Sequence, residues 1–123
     1  MEDFVLLFRQ PDTYNYNLSQ SNIETAMKRW DKWFNDLEAD GKLVNAGIQL
    51  GLKGKVLKAG GVVTDGPFVE IRERLNGFIV VKAESLDDAI TLAHGCPILD
   101  IDGTVEVRPF FIHEQMKGHL LSV

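Results

Sequence analysis

One cysteine, two tyrosines, four prolines and a shortage of basic residues leave this chain without the raw material for several kinds of function. The lone Cys96 closes no internal disulfide and has no second thiol with which to form a zinc pair, so a reducing compartment is expected. No apolar run approaches the roughly 20 residues that a membrane-spanning helix needs. The start, Met1-Glu2-Asp3-Phe4, is acidic and leads into a short apolar run, unlike the basic start and long apolar segment of a secretory signal. A cytoplasmic protein with no membrane contact is the expectation. Thirteen Lys and Arg stand against eighteen Asp and Glu, for a net charge of -5. Such a balance repels phosphate backbones unless the basic residues cluster, which they do not, so direct nucleic-acid binding is not expected.

Motifs for metals and cofactors are incomplete. His113-Glu114-Gln115-Met116-Lys117 begins like a zinc-protease helix but puts Lys117 where the second ligand belongs. His119 stands six residues from His113, close to the chain end. Asp100-Ile101-Asp102-Gly103 resembles part of a calcium loop, but with Asp100 as first ligand the glycine position falls on Val105, and a turn is the better reading. Gly47, Gly51 and Gly54 fit neither a P-loop nor a dinucleotide fingerprint. No metal and no cofactor is therefore expected, and nothing beside Cys96 in sequence marks it as an activated thiolate.

What the chain does have is a composition of 45% hydrophobic and 25% charged residues over 123 positions, ordinary for one globular domain, read here as residues 1–123. Phe4-Val5-Leu6-Leu7-Phe8 is a short continuous apolar run that suits a strand buried on both faces. A polar loop with Pro11, Tyr14 and Tyr16 follows. From Ser21 to Asp40 the period becomes helical, with Ile23, Met27, Trp30, Phe34 and Leu37 spaced alternately by four and three. Ser21 reads as the N-cap, Glu24 as its capping-box partner and Gly41 as the stop. The aromatic stripe is read as core packing, with the lining of a ligand pocket as the alternative.

Val44 to Leu52 predicts a second strand in which Gly47 and Gly51 mark a bulge or a close approach of backbones. Residues 55–58 and 61–64 flank Ala59-Gly60 as a hairpin, with Gly60-Gly61 free to take positive φ. Gly77 to Ala83 is the clearest strand. Ser85 caps a second helix with Asp87 and Asp88 in its first turn, a buried face of Leu86, Ala89, Ile90 and Ala93, and a stop at Gly95. A last strand runs from Val105 to Ile112, with Pro109 at an edge or bulge. Without the hairpin the order is β-α-β-β-α-β, a ferredoxin-like α+β fold with both helices on one face of an antiparallel sheet. The other face is left bare, and a second copy is the simple way to cover it, so a homodimer is expected.

The stretch "VVTDGPFVEIRERLNGFIVVKAESLDDAITLAHGCP" followed by "GTVEVRPFF" resembles the YCII-related proteins of the DGPF type. Their motif, close to T-D-G-P-F-x-E-x-K-E, matches Thr64, Asp65, Gly66, Pro67, Phe68, Glu70 and Glu73, with Arg72 where lysine is common. Gly77, Cys96, Pro97, Glu106, Val107, Arg108 and Pro109 supply the later matches. The resemblance implies a ferredoxin-like subunit pairing into a dimeric α+β barrel, usually in small bacterial proteins. Relatives on that fold include isomerases and small oxygenases, and some family members carry a transcription-initiation label.

Two readings of Asp65 stay open. Its carboxylate can accept amide hydrogen bonds in an Asx-turn while Gly66 and Pro67 set the exit. Alternatively, beside Phe68 at a cavity mouth, it acts as general acid or base, or as a polar anchor. Glu70, Arg72, Glu73 and Arg74 read as a solvated run of alternating charge. The family's acidic positions also allow Glu70 or Glu73 to turn into the same pocket and pair with Arg108. His94 reads as a helix-end residue or, because its loop carries Cys96, as a ligand contact.

The expected function is binding of an unknown small molecule in a pocket between sheet and helices next to the DGPF loop. Asp65 is its candidate catalytic residue, and Phe68, Glu70, Glu73, His94 and Arg108 are its candidate ligand contacts. Any chemistry would be cofactor-free proton transfer, such as isomerisation or lactone hydrolysis. The alternative is a non-catalytic regulatory or partner-binding module, including association with a transcription initiation factor.

Overall fold

In the computed structural model, which describes residues 1–11, 20–51, 53–66 and 73–111, the first apolar run sits inside a ten-residue strand β1, Glu2–Pro11. Its side chains alternate as a pleated strand requires: Phe4, Leu6 and Phe8 are buried, while Val5 and Leu7 on the opposite face are only half-buried. Further along the chain come helix α1 (Gln20–Ala39), strand β2 (Leu43–Gln49), the hairpin strands β3 (Gly54–Leu57) and β4 (Val63–Gly66), strand β5 (Glu73–Ala83), helix α2 (Leu86–Ala93), a 3-10 helix (Pro97–Ile101) and strand β6 (Thr104–Pro109). Four strands make one sheet in the order β2-β5-β1-β6, every neighbouring pair antiparallel. This is the ferredoxin-like order, with β3-β4 inserted as a separate two-stranded sheet.

The core lies between the sheet and the helices. Phe4, Leu6 and Phe8 of β1 and Ile79, Val81 and Ala83 of β5 meet Trp33 and Leu37 of α1 and Ala89 and Ala93 of α2. Each large apolar side chain withdrawn from water there contributes about 1.5–3 kcal/mol. Phe8, Trp30, Trp33 and Phe34 form an aromatic layer with ring centroids 5.3–5.9 Å apart. The edge-to-face contacts of Phe8 with both tryptophans are the arrangement that ring quadrupoles favour. The indole N–H of Trp33 donates to the Leu92 carbonyl oxygen at 3.1 Å, which ties α1 to α2.

Several expectations need correction. Helix α1 begins at Gln20, so Ser21 lies within the helix and is not its cap. Of the predicted stripe, Ile23 and Met27 are 39% and 61% exposed, and Trp33, absent from the stripe, is buried at 7%. The first half of α1 runs free of the described core, and the face was fixed by where Phe8 and the α2 end accept an indole. In α2, Ala89 and Ala93 are buried as expected, but Leu86 and Ile90 are 48% and 41% exposed. Strand β6 ends at Pro109 on an edge of the sheet, as its missing amide hydrogen requires; Ile112 lies outside the described residues. Ser85 does cap α2, its hydroxyl oxygen accepting from the Asp88 amide at 3.1 Å.

Gly47 shows why β2 carries glycine. It adopts φ +71°, its strand slips register around it, and a Cβ there would overlap the Phe78 carbonyl of the neighbouring strand. Gly51, by contrast, falls just beyond the strand. The bulge therefore tolerates no side chain. Gly47→Ala is expected to lower unfolding stability by about 2 kcal/mol or more in a denaturant titration. Gly54→Ala, whose Cβ would meet nothing within 4 Å, should change it by less than about 1 kcal/mol.

Candidate functional site

Asp65 stands on β4, directly opposite Lys55 of β3 in the hairpin ladder, and is exposed. Because side chains alternate along a strand, the partners Lys55 and Asp65, and the partners Leu57 and Val63, occupy one face of the hairpin. The partners Val56 and Thr64 occupy the other. That second face is the covered one: Val56 and Thr64 are half-buried, and the Thr64 hydroxyl oxygen is buried without a hydrogen-bond partner. The first face is open, and Lys53, Gly54, Lys55 and Asp65 line a groove of about 450 Å³ on it. A carboxylate beside two ammonium groups can hold a small polar molecule by charge and hydrogen bonds at once. The turn that sets this register uses Gly60 and Gly61 at φ +88° and +81°, as expected.

The other candidates stand elsewhere. His94 is the C-cap of α2, exposed, its amide donating to the Ile90 carbonyl at 3.1 Å. Arg108 lies on edge strand β6, 67% exposed, with its Nε 3.8 Å from a Glu106 oxygen; the other Glu106 oxygen takes a hydrogen bond from Arg9 at 2.6 Å. Arg108 thus has Glu106 as a neighbour; the expected pairing with Glu70 or Glu73 falls outside the described side chains. Phe68 and Glu70 lie outside the described residues, and Glu73 is described only as the backbone start of β5, paired with Pro11. Among the described residues, no hydrogen bond or ion pair joins Asp65, His94 and Arg108 within one chain. The space between sheet and helices, where a pocket was expected, is filled by the aromatic layer around Trp33.

Two features escaped the sequence reading. Lys53 and Lys55 reach the Asp65 groove only through the hairpin register, which the two-residue spacing of the lysines would have allowed once the strand pairing was known. Gln10 is the one buried polar residue of the described core, and it accepts a hydrogen bond from the Asn76 side-chain amide. That pair joins β1 to β5 at the sheet end from which the DGPF segment departs. Its signal was weak, since both residues sit past the apolar runs that marked their strands.

Residues 4–112 match the YCII-related domain family. The chain belongs to the YCII-related family. The motifs from Thr64 to Glu73 and from Cys96 to Pro109 are thereby placed in a match that covers nearly the whole chain. Among curated proteins, this YCII-related chain is 37% identical over 54 residues to an uncharacterized protein of Rhizobium meliloti (strain 1021). The aligned stretch covers 43% of this chain and 44% of that relative, so the chain spans under half the relative's length.

A second groove of about 250 Å³ lies between α1 and the 3-10 helix of the YCII-related chain, lined by Arg29, Lys32, Trp33, Asp36, Gly95 and Pro97. Its charges are engaged: Arg29 pairs with Asp100, and Lys32 pairs with Asp36 at 2.8 Å, whose hydrogen bond and charge raise the lysine above its usual range. Among the described residues, no cluster of three His, Cys, Asp or Glu side chains forms a metal-sized site, and no helix is long and apolar enough to cross a membrane.

Cys96 is buried against the core, and desolvation pushes its thiol up to about 12, opposed by a backbone hydrogen bond at Ile98 and aided by the charge of Asp100. The folded thiol keeps its proton well above the 9.0 of a free one. Over that window the native state binds more protons than the unfolded state, so the contribution of Cys96 is complete below about pH 9 and declines as pH rises towards 12. The decline reaches at most about 1.4 kcal/mol per unit. At pH 8 a disulfide reagent should label the native thiol at least roughly a hundredfold more slowly than the denaturant-unfolded chain; equal rates would contradict its burial.

Proposed function

We propose that this YCII-related protein binds a small polar molecule in the groove at the start of the DGPF motif, with Asp65 as its charged anchor and Lys53 and Lys55 as the complementary cations. The observation that carries this reading is the open hairpin face on which Asp65 and both lysines converge on one groove. Two cations and one carboxylate suit a small molecule that offers an acidic group together with a hydroxyl, such as a hydroxy acid. Any reaction there is cofactor-free proton transfer with Asp65 as the acid or base. His94 and Arg108, on other elements of the chain, have no part in the groove of their own subunit.

The protein acts, on the same reading, as a cytoplasmic homodimer. Val5 and Leu7 of β1, Phe78 of β5 and Ile48 of β2 share the sheet face away from the helices, placed there by the pairs Leu7↔Phe78 and Ile48↔Phe78. Val80, opposite Val5, is buried at the centre of that face, while Ile48 at its edge is 61% exposed. Arg9, Glu106 and Arg108 border it along β6. An apolar centre with a charged margin is how interfaces between subunits are built. A second copy presenting the same patch would cover it by two-fold symmetry.

Asp65→Asn keeps the shape of the side chain and removes its charge. Screened by thermal shift against small hydroxy acids, the wild-type chain is expected to show a compound that raises its melting temperature, and Asp65→Asn to lose that rise while folding normally. Equal shifts in both would remove Asp65 from the site.

A further inference from the structure

The hairpin is an unusual element for so small a domain. Its strands pair only with each other, and a two-stranded hairpin in water is marginal by itself. One of its faces is half-covered through Val56 and Thr64, and the other exposes the aliphatic pair Leu57 and Val63. Leu57 and Val63 lie directly opposite each other next to the turn, 72% and 56% exposed, and Val62 beside them is 55% exposed. Three apolar side chains at the end of an arm, none of them needed by its own core, mark a contact surface. The arm also differs in charge from the rest of the chain. Lys53, Lys55 and Lys58 stand against the single Asp65, in a chain whose net charge is -5.

We infer that the hairpin is a clasp for a second copy of this chain: Leu57, Val62 and Val63 of one subunit seat on the other, and the partner's surface closes the groove around Asp65. The inference rests on the dimeric reading given above and adds to it that the ligand site is incomplete in a single subunit. Leu57 and Val63 occupy the same hairpin face as Lys55 and Asp65, so whatever covers the apolar pair also roofs the groove beside it. The opposite signs of the hairpin and of the remaining surface favour another copy as the occupant, because a basic arm meets an acidic body. Closure matters chemically, since a carboxylate and two ammonium groups hold a ligand more strongly once water is excluded.

Hydrogen exchange of the full-length chain, followed by mass spectrometry at concentrations well below and well above its dimer dissociation constant, tests this. The amides of the hairpin, around residues 55–57 and 63–65, should exchange more slowly by about tenfold or more in the dimer. The double variant Leu57→Asp, Val63→Asp should raise the dimer dissociation constant tenfold or more, while the melting temperature of the monomer stays that of wild type. A wild-type chain that remains a monomer at all concentrations overturns both the dimer and the clasp. A wild-type dimer whose hairpin exchanges at the same rate at every concentration, or whose double variant dimerises as tightly, overturns the clasp alone and leaves the sheet interface standing.

Discussion

Everything else in this molecule hangs from strand β1, which is hydrogen-bonded on both edges, to β5 through ten paired positions and to β6 through six. A central strand so placed has two faces to bury, and its sequence is apolar on both. Phe4, Leu6 and Phe8 meet the helices, whereas Val5 and Leu7, paired with Val80 and Phe78 on the other face, stay half-buried. The first face explains the stable core. The second is apolar but only partly covered in a single chain, with Ile48 exposed at its edge, and it is the physical reason for proposing a homodimer.

From β1 the constraint passes outward. Phe8 fixes the tryptophan layer, Trp33 reaches across that layer to the Leu92 carbonyl, and Gly95 is small because a Cβ there would press on the Trp33 ring. The other route runs through β5 to β2, whose bulge at Gly47 is forced by the close Phe78 carbonyl. Past that strand pair the chain enters the hairpin, whose strands pair with each other and not with the main sheet.

The fold was legible in the sequence wherever local chemistry alone decides. The Ser85 cap, the glycine turn of the hairpin, the apolar alternation of β5 and the edge proline at 109 each follow from the residues on the spot. What was misread depended on distant partners. Strand β1 extends beyond its apolar run through Arg9 and Gln10 because their backbones pair with Leu75 and Arg74, which no hydrophobic pattern announces. Helical spacing in α1 was correct as a period and, from Trp30 onward, as a face, since Trp30, Phe34 and Leu37 pack in or against the core; Ile23 and Met27 lie outside it, and Trp33 joins it through Phe8 and the Leu92 carbonyl. Of the candidate site only Asp65 was legible, and it lies on strand β4 opposite Lys55. Lys53 and Lys55 join it through cross-strand register, and the separation of Arg108 and His94 from it is a matter of topology. Phe68 and Glu70 lie outside the described residues.

The central claim is that the sheet face opposite the helices is the seam between two copies. Ile48 lies on that face at 61% exposure, so a charge placed there disturbs no core of its own subunit. Light scattering on Ile48→Glu beside the wild-type chain is the direct measurement. The account predicts that the wild type has twice the 13.8 kDa mass of one chain at micromolar concentration and that the variant, equally well folded by circular dichroism, falls to a single chain. A variant that keeps the wild-type mass as a dimer, or a wild type that never exceeds one chain, would contradict it.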